Sequence, residues 1–273
     1  ILGMYPVLLE IFGVKIYTYG FLVALGAFIA YWLLLKFARR EGMNPNHLEN
    51  TLLFALLLGI VVGRLSYVIE HPEQVEGFRD ILAIWNGGMT FFGGLIGGVV
   101  GVLFGIFRYK LPFWKTADMA VVALSIAHAV GRLGCTSAGC CYGKPFPVDG
   151  EALPGLHFSV RFPFFYLVFP PGAVAPPYMP LYPTQLMEFL GLILIFVLLL
   201  LTYRKKPFDG SIFSLYMLLY GLLRFSLEFF RGVTPPISGL GLTWNQLIAL
   251  SMVVLSFILA LWLLREKRHE KVA

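Results

Sequence analysis

Long apolar runs separated by short charged connections dominate the chain. Each run is close to the roughly 20 residues that a helix needs to cross the hydrocarbon core of a bilayer. The runs cover residues 17–37, 51–69, 91–107, 116–134, 184–203, 210–230 and 244–264. This pattern predicts an all-α membrane protein in which seven transmembrane helices form a single domain over residues 1–273.

Basic residues fall in alternate connections, whereas the other connections contain acidic residues such as Glu76, Asp149 and Glu151. Basic loops stay on the cytoplasmic side of a membrane. We therefore predict an inner-membrane protein with its amino terminus outside and its carboxyl terminus in the cytoplasm. The long connection over residues 135–183 would then form an external head, and its many Pro and aromatic residues favour a compact cap on the membrane face.

The composition agrees with a membrane protein, because 58% of the residues are hydrophobic, only 13% are charged and the mean hydropathy is +0.79. The net charge of +6 does not indicate nucleic-acid binding, since the basic residues follow the predicted membrane topology. We predict no cleavable signal peptide, and Met4 is a candidate initiator. An odd count of three cysteines argues against a disulfide framework.

Four arginines, which are costly in lipid, lie inside or at the edge of the predicted spans: Arg64, Arg132, Arg224 and Arg231. A rise of 1.5 Å per residue places the first three roughly 20–24 Å above the cytoplasmic ends of their helices. Helices that enter from the other side bring further polar groups to the same level: Tyr19-Gly20, Thr184-Gln185, Glu188 and Asn245-Gln246. The pattern predicts one polar layer in the outer half of the bilayer.

Helical spacing groups these residues further. Tyr220, Arg224, Glu228 and Arg231 would share one face of the sixth span, and His128 would neighbour Arg132. The simpler interpretation is interhelical ion pairs, for instance Arg224 with Glu228, and snorkelling of Arg231 at the membrane interface. The sharper one is an anion site built from Arg132 and Arg224, because guanidinium groups suit phosphate. The anion available in an outer leaflet is a phospholipid headgroup.

Two glycine-rich stretches support close approach of a neighbouring backbone or a ligand: Gly93-Gly94 through Gly98, and residues 131–144. The second stretch also contains Cys135, Cys140 and Cys141. These cysteines could be packing residues, form a disulfide, or bind a metal together with His128. Adjacent cysteines are a poor spacing for zinc, so we predict no metal.

The stretch from Gly131-Arg132-Leu133-Gly134 to Gly143-Lys144 resembles the signature of the bacterial prolipoprotein diacylglyceryl transferases, in a cysteine-rich branch. The resemblance extends, in chain order, to Tyr19-Gly20, Gly63–Leu65, Gly87–Leu95, Tyr182–Glu188, Tyr220–Phe225, Glu228–Arg231 and Asn245-Gln246. It implies seven spans and an enzyme that needs no cofactor. That enzyme would transfer the diacylglyceryl group of phosphatidylglycerol to the lipobox cysteine thiol of a prolipoprotein. Glycerol 1-phosphate would be released, in the first step of lipoprotein maturation.

The family often has histidine, assigned as a catalytic base, where Phe92 stands, and asparagine where Cys135 stands. We predict that Arg132 and Arg224 bind the phosphate, and we consider three candidate bases: His128, Glu228 and Tyr19. Two arginines near the acceptor thiol could also make a strong base unnecessary. The candidate substrate-binding residues are Arg132, Arg64, Arg231, Gly93, Gly94, Cys135, Gly143 and Gln185.

The predicted partners are phosphatidylglycerol, the signal-peptide region of a prolipoprotein and membrane lipid, with no nucleic acid. Two alternatives remain open. A related lipid-using transferase could serve a different acceptor, or the arginines could line the path of an organic-anion transporter. Against a transporter, the chain has no evident internal repeat and its polar residues cluster near one face.

Overall fold

Helices make up most of the protein in a computed structural model, which describes residues 7–11, 14–74, 77–82, 88–148, 152–231, 236–237 and 239–272. Met4, Glu76, Gly87, Asp149 and Glu151, named above from the sequence, lie outside the described residues. The eight α-helices of the described part are α1 (Thr18–Arg40), α2 (Pro45–Glu70), α3 (Phe78–Leu82), α4 (Phe91–Tyr109), α5 (Phe113–Ala138), α6 (Thr184–Tyr203), α7 (Ser211–Glu228) and α8 (Trp244–Val272).

Six of these helices are long and apolar enough to cross a membrane: Thr18–Arg40, Pro45–Glu70, Phe92–Tyr109, Phe113–Ala138, Thr184–Tyr203 and Trp244–Arg268. The chain is therefore a multi-pass membrane protein. The remaining predicted span is present as the helix α7, but it is not among these six. Two tyrosines, Arg224 and Glu228 make α7 more polar along its length, so the count of seven spans stays a prediction.

Five short strands, which the apolar pattern does not predict, accompany the helices. The strands β1 (Val7–Ile11) and β2 (Val14–Tyr17) form an antiparallel pair before α1. Between α5 and α6, β3 (Gly155–Phe158), β4 (Phe165–Val168) and β5 (Pro180–Leu181) form an antiparallel sheet in the order β3-β4-β5. The register pairs His157 with Tyr166 and Leu167 with Leu181. The predicted head segment thus contains a small folded sheet.

The sheet has its own hydrophobic core. Leu167, Phe169, Ala175 and Leu181 are buried together, and Tyr142 and Leu186 pack against them. Leu186 belongs to the first turn of α6, so the core connects the sheet to the start of that helix. Burial of such side chains stabilises a structure by roughly 1.5–3 kcal/mol each. This core thereby fixes the start of α6 and the polar side chains on its first turns.

The chain divides into two compact units, residues 1–33 with 117–273 and residues 34–116. In the unit of residues 34–116, glycines let α2 and α4 approach closely. A Cβ atom on Gly97 would lie 2.2 Å from the carbonyl oxygen of Leu58, and one on Gly101 would lie 2.5 Å from that of Phe54. The interpretation of the first glycine-rich stretch as a surface for close backbone approach is confirmed for this helix pair.

In the other unit, α5 holds the start of α7 through Asp118, a buried residue that the apolar pattern does not single out. Its Oδ2 accepts a hydrogen bond from Gly210 N (2.9 Å), and its Oδ1 accepts one from Phe213 N (2.9 Å). Lys206 Nζ lies 3.5 Å from Oδ2. A carboxylate that accepts bonds from the first N–H groups of a helix stabilises its N-terminus. Asp118 thereby fixes the helix that carries Tyr220 and Arg224.

We expect Asp118→Ala to lower the free energy of unfolding by about 3 kcal/mol, because buried N–H groups and Lys206 lose a charged partner. Thermal unfolding midpoints in detergent micelles would measure this loss. Asp209→Ala is the matched control, since Asp209 also contacts Lys206, at 2.8 Å, but is 44% exposed. An exposed ion pair contributes about 0–1 kcal/mol. Equal effects of the two variants would refute the capping role of Asp118.

Candidate active site

Arg132 lies on α5, two turns before the end of that helix, and makes contacts that the sequence does not fully predict. Its Nη2 donates to Glu188 Oε1 on α6 at 2.9 Å. Its Nε donates to His128 Nε2 at 3.2 Å, which confirms the predicted pairing of these two residues one helical turn apart. Among the residues that the structure describes, Nη1 of Arg132 finds no hydrogen-bond acceptor. One edge of the guanidinium is thus anchored while the Nη1 group is left for a ligand.

Glu188 is the point where three helices meet. Its Oε1 also accepts a hydrogen bond from Tyr220 on α7 (3.3 Å) and lies 3.6 Å from His128 Nε2. The His128 ring contacts the Tyr220 ring edge-on, with centroids 5.4 Å apart. Only 3% of the Glu188 side chain is exposed, so its negative charge is balanced by Arg132 rather than by solvent. This carboxylate fixes the direction in which Arg132 points.

A second buried ion pair lies within the end of α7, and hydrogen bonds connect it to the start of α8. Arg224 Nη1 lies 2.9 Å from Glu228 Oε2, which confirms the predicted pair. Glu228 Oε1 accepts hydrogen bonds from Asn245 Nδ2 (3.0 Å) and Thr243 Oγ1 (3.2 Å). The charges of Arg224 and Arg132 both act on His128. Arg132 and Arg224 are thus each paired with a buried carboxylate of their own, Glu188 and Glu228.

The three cysteines lie together, directly after Arg132 in the chain. Their sulfur atoms are all within 4.8 Å of one another. Cys135 is in the last turn of α5, and Cys140 and Cys141 form the turn that follows, where Cys141 adopts a positive φ of 60°. Spacing along the sequence argued against a metal, yet this turn brings the sulfur atoms of adjacent residues close together.

Residues 135–141, which we call the cysteine turn, are held in place by the first turn of α6. Gln185 Nε2 donates to Cys140 O at 2.7 Å, and Thr184 Oγ1 donates to Cys141 O at 2.8 Å. The adjacent thiols of Cys135 and Cys140, with a smaller contribution from the charges of Arg231 and Arg132, lower the pKa of Cys141. The direct contacts of Gln185 are thus structural, and its role in substrate binding stays a prediction.

Arg231 does not share the face of α7 with Arg224, so that part of the helical prediction is wrong. The helix ends at Glu228, because the chain turns there, with Phe230 N donating to Leu227 O (3.0 Å). Arg231 then pairs through its backbone with Gly143 in an isolated β-bridge. Its Nε is buried and has no hydrogen-bond partner among the described residues.

Gly143 is required at this bridge for steric reasons. A Cβ atom there would lie 2.6 Å from Tyr182 Cβ and 2.7 Å from the carbonyl oxygen of Phe230.

Tyr19, in the first turn of α1, packs against Gly134 of α5. A Cβ atom on Gly134 would lie 3.2 Å from Tyr19 Cδ2. Tyr19 is 45% exposed and interacts electrostatically with the three thiols. It therefore borders the cysteine turn.

Three predicted substrate-binding residues belong to the unit of residues 34–116, where their contacts are structural. Arg64 donates from Nη1 to Gly88 O (2.8 Å) and from Nε to Ile81 O (3.1 Å), and its Nη2 donates to Asp80 O. A Cβ atom on Gly93 would lie 2.4 Å from Ser66 Oγ, and one on Gly94 would lie 3.7 Å from Gly59 O. Binding roles for Arg64, Gly93 and Gly94 stay predictions.

The residue that sequence reasoning missed is Glu188. The polar pattern places it in the same layer as Arg132 but assigns it no role, because spacing along one helix says nothing about contacts between helices. A signal was present, however. Glu188 is an acidic residue in an otherwise apolar run, one helical turn after Thr184. An ionisable residue inside a span indicates a function by default.

Comparisons with known proteins point to one family. A profile of the prolipoprotein diacylglyceryl transferase family matches residues 6–262. The phosphatidylglycerol–prolipoprotein diacylglyceryl transferase of Clostridium tetani (strain Massachusetts / E88) is 34% identical over 92% of this chain and 95% of its own length. The enzyme numbered 2 of Clostridium perfringens (strain 13 / Type A) is 32% identical, over 91% of each chain. That of Symbiobacterium thermophilum is 30% identical over 95% of this chain and 93% of its own. Because the match covers nearly the whole chain, the chain belongs to the prolipoprotein diacylglyceryl transferase family.

Proposed function

We propose that this protein transfers the diacylglyceryl group of phosphatidylglycerol to the lipobox cysteine thiol of prolipoproteins. The family match over residues 6–262 supports the reaction. The observation that carries the assignment of a site is Arg132, a buried arginine anchored on one edge by Glu188 and His128. A phosphate oxygen is a suitable acceptor for its Nη1 group.

The reaction is a displacement at the glycerol carbon that bears the phosphate ester. The thiolate sulfur forms a carbon–sulfur bond while the carbon–oxygen bond to phosphate breaks. Glycerol 1-phosphate leaves with the bonding electron pair, and the thiol proton is released before or during the attack. Negative charge therefore grows on the phosphate as the bond breaks. Arg132 and Arg224 would stabilise that charge, and interactions of this kind contribute about 3–4 kcal/mol per donor.

His128 would position Arg132 rather than act as the base. An arginine N–H can only donate, so His128 Nε2 must accept the bond from Arg132 Nε (3.2 Å), and the imidazole is neutral with its proton on Nδ1. The ring then has no lone pair left to take the proton of the thiol. Glu228 is engaged by Arg224, Asn245 and Thr243 in a similar way.

We expect His128→Gln to reduce activity by less than about tenfold and to leave the shape of the pH–rate profile unchanged, because the Gln amide oxygen can still accept from Arg132. Initial rates of glycerol phosphate release between pH 5 and 9 would test this. His157→Gln is the matched control, since His157 is outside the α5–α6 contact and bonds to Leu153 O. If the fall in rate at low pH disappears in His128→Gln but not in His157→Gln, His128 is the base.

For the membrane arrangement, we propose seven spans, with α7 as the additional one, in the bacterial inner membrane. The 18 residues of α7 extend for about 27 Å, close to the ~30 Å of a hydrocarbon core. The amino terminus would be outside, the carboxyl terminus in the cytoplasm, and the sheet β3-β4-β5 would form an external cap. Arg132 and Arg224 would then lie in the outer half of the bilayer, where lipid and the signal-peptide region of the acceptor can meet.

The decisive experiment is an assay of the purified protein with phosphatidylglycerol vesicles and a lipobox peptide. We expect release of glycerol phosphate together with a peptide that has gained one diacylglyceryl group. A lipobox peptide with Cys→Ser should give neither product. A lipid-modified product on a different acceptor would favour the related-transferase alternative. Uptake of an organic anion into liposomes without transfer would favour the transporter.

A further inference from the structure

The three thiols of the cysteine turn have the geometry of a metal site. Cys135, Cys140 and Cys141 are all the cysteines of the chain, and their sulfur atoms lie within 4.8 Å of one another. Zinc–thiolate bonds of about 2.3 Å place three sulfur ligands about 4 Å apart. Small side-chain rotations would therefore bring all three sulfur atoms to one ion.

The backbone holds this arrangement mainly through its N–H and carbonyl groups, with one weak thiol hydrogen bond from Cys140 Sγ to Cys135 O at 3.8 Å. Cys140 N donates to Cys135 O at 3.1 Å, which closes the turn after α5. The carbonyl oxygens of Cys140 and Cys141 are engaged by Gln185 and Thr184 of α6. Each thiol is only partly buried, whereas cysteines that serve as packing residues are among the most deeply buried side chains. Packing alone therefore does not explain three thiols at one point.

The charges around the cysteine turn suit a thiolate–metal group. Arg132 lies one turn before Cys135 on α5, and Arg231 pairs through its backbone with Gly143, two residues after Cys141. Zn²⁺ with three thiolates has a net charge of −1, so these arginines would stabilise the loaded site as well as the thiolates that form it. The site also lies beside the arginine that we propose binds the phosphate of the lipid, since Cys135 follows Arg132 by one helical turn.

We propose that Cys135, Cys140 and Cys141 bind Zn²⁺ and that the acceptor cysteine supplies a fourth thiolate ligand during the reaction. This inference rests on the proposed function. Catalytic zinc sites contain three protein ligands and one open position, and a thiol that coordinates zinc is deprotonated. Two of the three candidate bases, His128 and Glu228, are already engaged by arginines. A metal would make a protein base unnecessary.

The step balances in atoms and electrons. The acceptor thiol loses its proton to solvent as its sulfur binds Zn²⁺. A sulfur lone pair then forms the bond to the glycerol carbon, and the carbon–oxygen bond breaks with its electron pair on the departing glycerol phosphate. The product is a thioether, a weaker ligand than a thiolate, and leaves the ion. No oxidant or reductant is consumed, and the zinc charge does not change.

The test uses the full chain, purified anaerobically with a reductant and titrated with Zn²⁺ or Co²⁺. We expect one Zn²⁺ per chain by elemental analysis and, with Co²⁺, a near-ultraviolet thiolate-to-cobalt charge-transfer band. Cys135→Ser, Cys140→Ser and Cys141→Ser should each lose the band. Ser137→Ala should keep it, since Ser137 lies with Cys135 in the last turn of α5 and its hydroxyl donates to Gly134 O (2.8 Å). Zn²⁺ should raise the thermal midpoint of the wild type but not of the cysteine variants, which reports binding in the folded state.

Two further measurements address the fourth ligand. A lipobox peptide should intensify the cobalt band, whereas its Cys→Ser form should not. Removal of Zn²⁺ should lower the transfer rate at pH 7 by about 30-fold, because an ordinary thiol of pKa near 8.5 is only about 3% ionised there. The rate of the metal-free enzyme should rise as the pH increases past about 8.5, because the acceptor thiol is then mostly ionised.

The outcomes separate this inference from the proposed function. Transfer by a protein that binds neither Zn²⁺ nor Co²⁺, or whose cysteines form a disulfide instead, would overturn the inference and leave the function intact. Metal binding with no response to the peptide would overturn the fourth-ligand part. A metal-loaded protein that transfers nothing from phosphatidylglycerol would overturn the proposed function while the metal site stood.

Discussion

Arg132→Ala is expected to reduce the rate of glycerol phosphate release by about 10²–10³-fold, a larger loss than we expect from any other single substitution in this protein. The guanidinium would contact the phosphate as negative charge grows on it, and loss of one such donor has a cost of this size in other enzymes. If that contact strengthens in the transition state, kcat and kcat/KM should fall together. Steady-state assays that vary phosphatidylglycerol in mixed micelles would measure both constants.

Alanine also leaves the buried carboxylate of Glu188 without its positive partner, which destabilises a protein by about 3–5 kcal/mol. Arg132→Lys separates the two effects, because lysine keeps the charge beside Glu188 but lacks the planar fork. We expect a thermal midpoint close to that of the wild type and a rate lowered at least tenfold. Arg39→Ala serves as the control, since Arg39 is exposed in the last turn of α1. Full activity of Arg132→Ala at normal expression would exclude the proposed role.

The parts of the site that were predictable from sequence are those set by the local period of a helix. Arg224 with Glu228, and His128 with Arg132, are one turn apart, so any α-helix brings each pair together. The same reasoning failed for Arg231, because it assumed that the helix continues. The aromatic pair Phe229-Phe230 is apolar and gives no stop signal, yet α7 ends at Glu228.

Contacts between distant parts of the chain could not be predicted in this way. Glu188 meets Arg132 across 56 positions of sequence, and which face of α6 turns toward α5 depends on the packing of both helices. The cysteine turn depends on backbone geometry, since Cys141 takes a left-handed conformation that is uncommon for a residue with a side chain. Sequence spacing therefore suggested that adjacent cysteines would be poor ligands, whereas the folded turn places their sulfur atoms together.

The second large effect concerns the buried pair of Arg224 and Glu228. We expect Arg224→Met and Glu228→Gln each to lower the free energy of unfolding by about 3 kcal/mol, because each leaves one buried charge uncompensated. The double variant should be less destabilised than the sum of the two, by up to about 3 kcal/mol. In that variant the Gln amide oxygen can still accept from Asn245 and Thr243, which donate to Glu228 Oε1 in the wild type. Unfolding titrations in mixed micelles would give the three values.

Across the two single variants and the double variant, activity should not change in parallel with stability. If Arg224 binds the phosphate and Glu228 only orients it, the double variant should be as inactive as Arg224→Met, about 10²-fold below the wild type, although it is better folded than the sum of the single variants predicts. Glu228→Gln alone should raise the KM for phosphatidylglycerol more than it lowers kcat, since the arginine is present but less well held. A double variant that regains activity along with stability would show that Arg224 is needed only to neutralise Glu228. The phosphate would then be bound by Arg132 without Arg224.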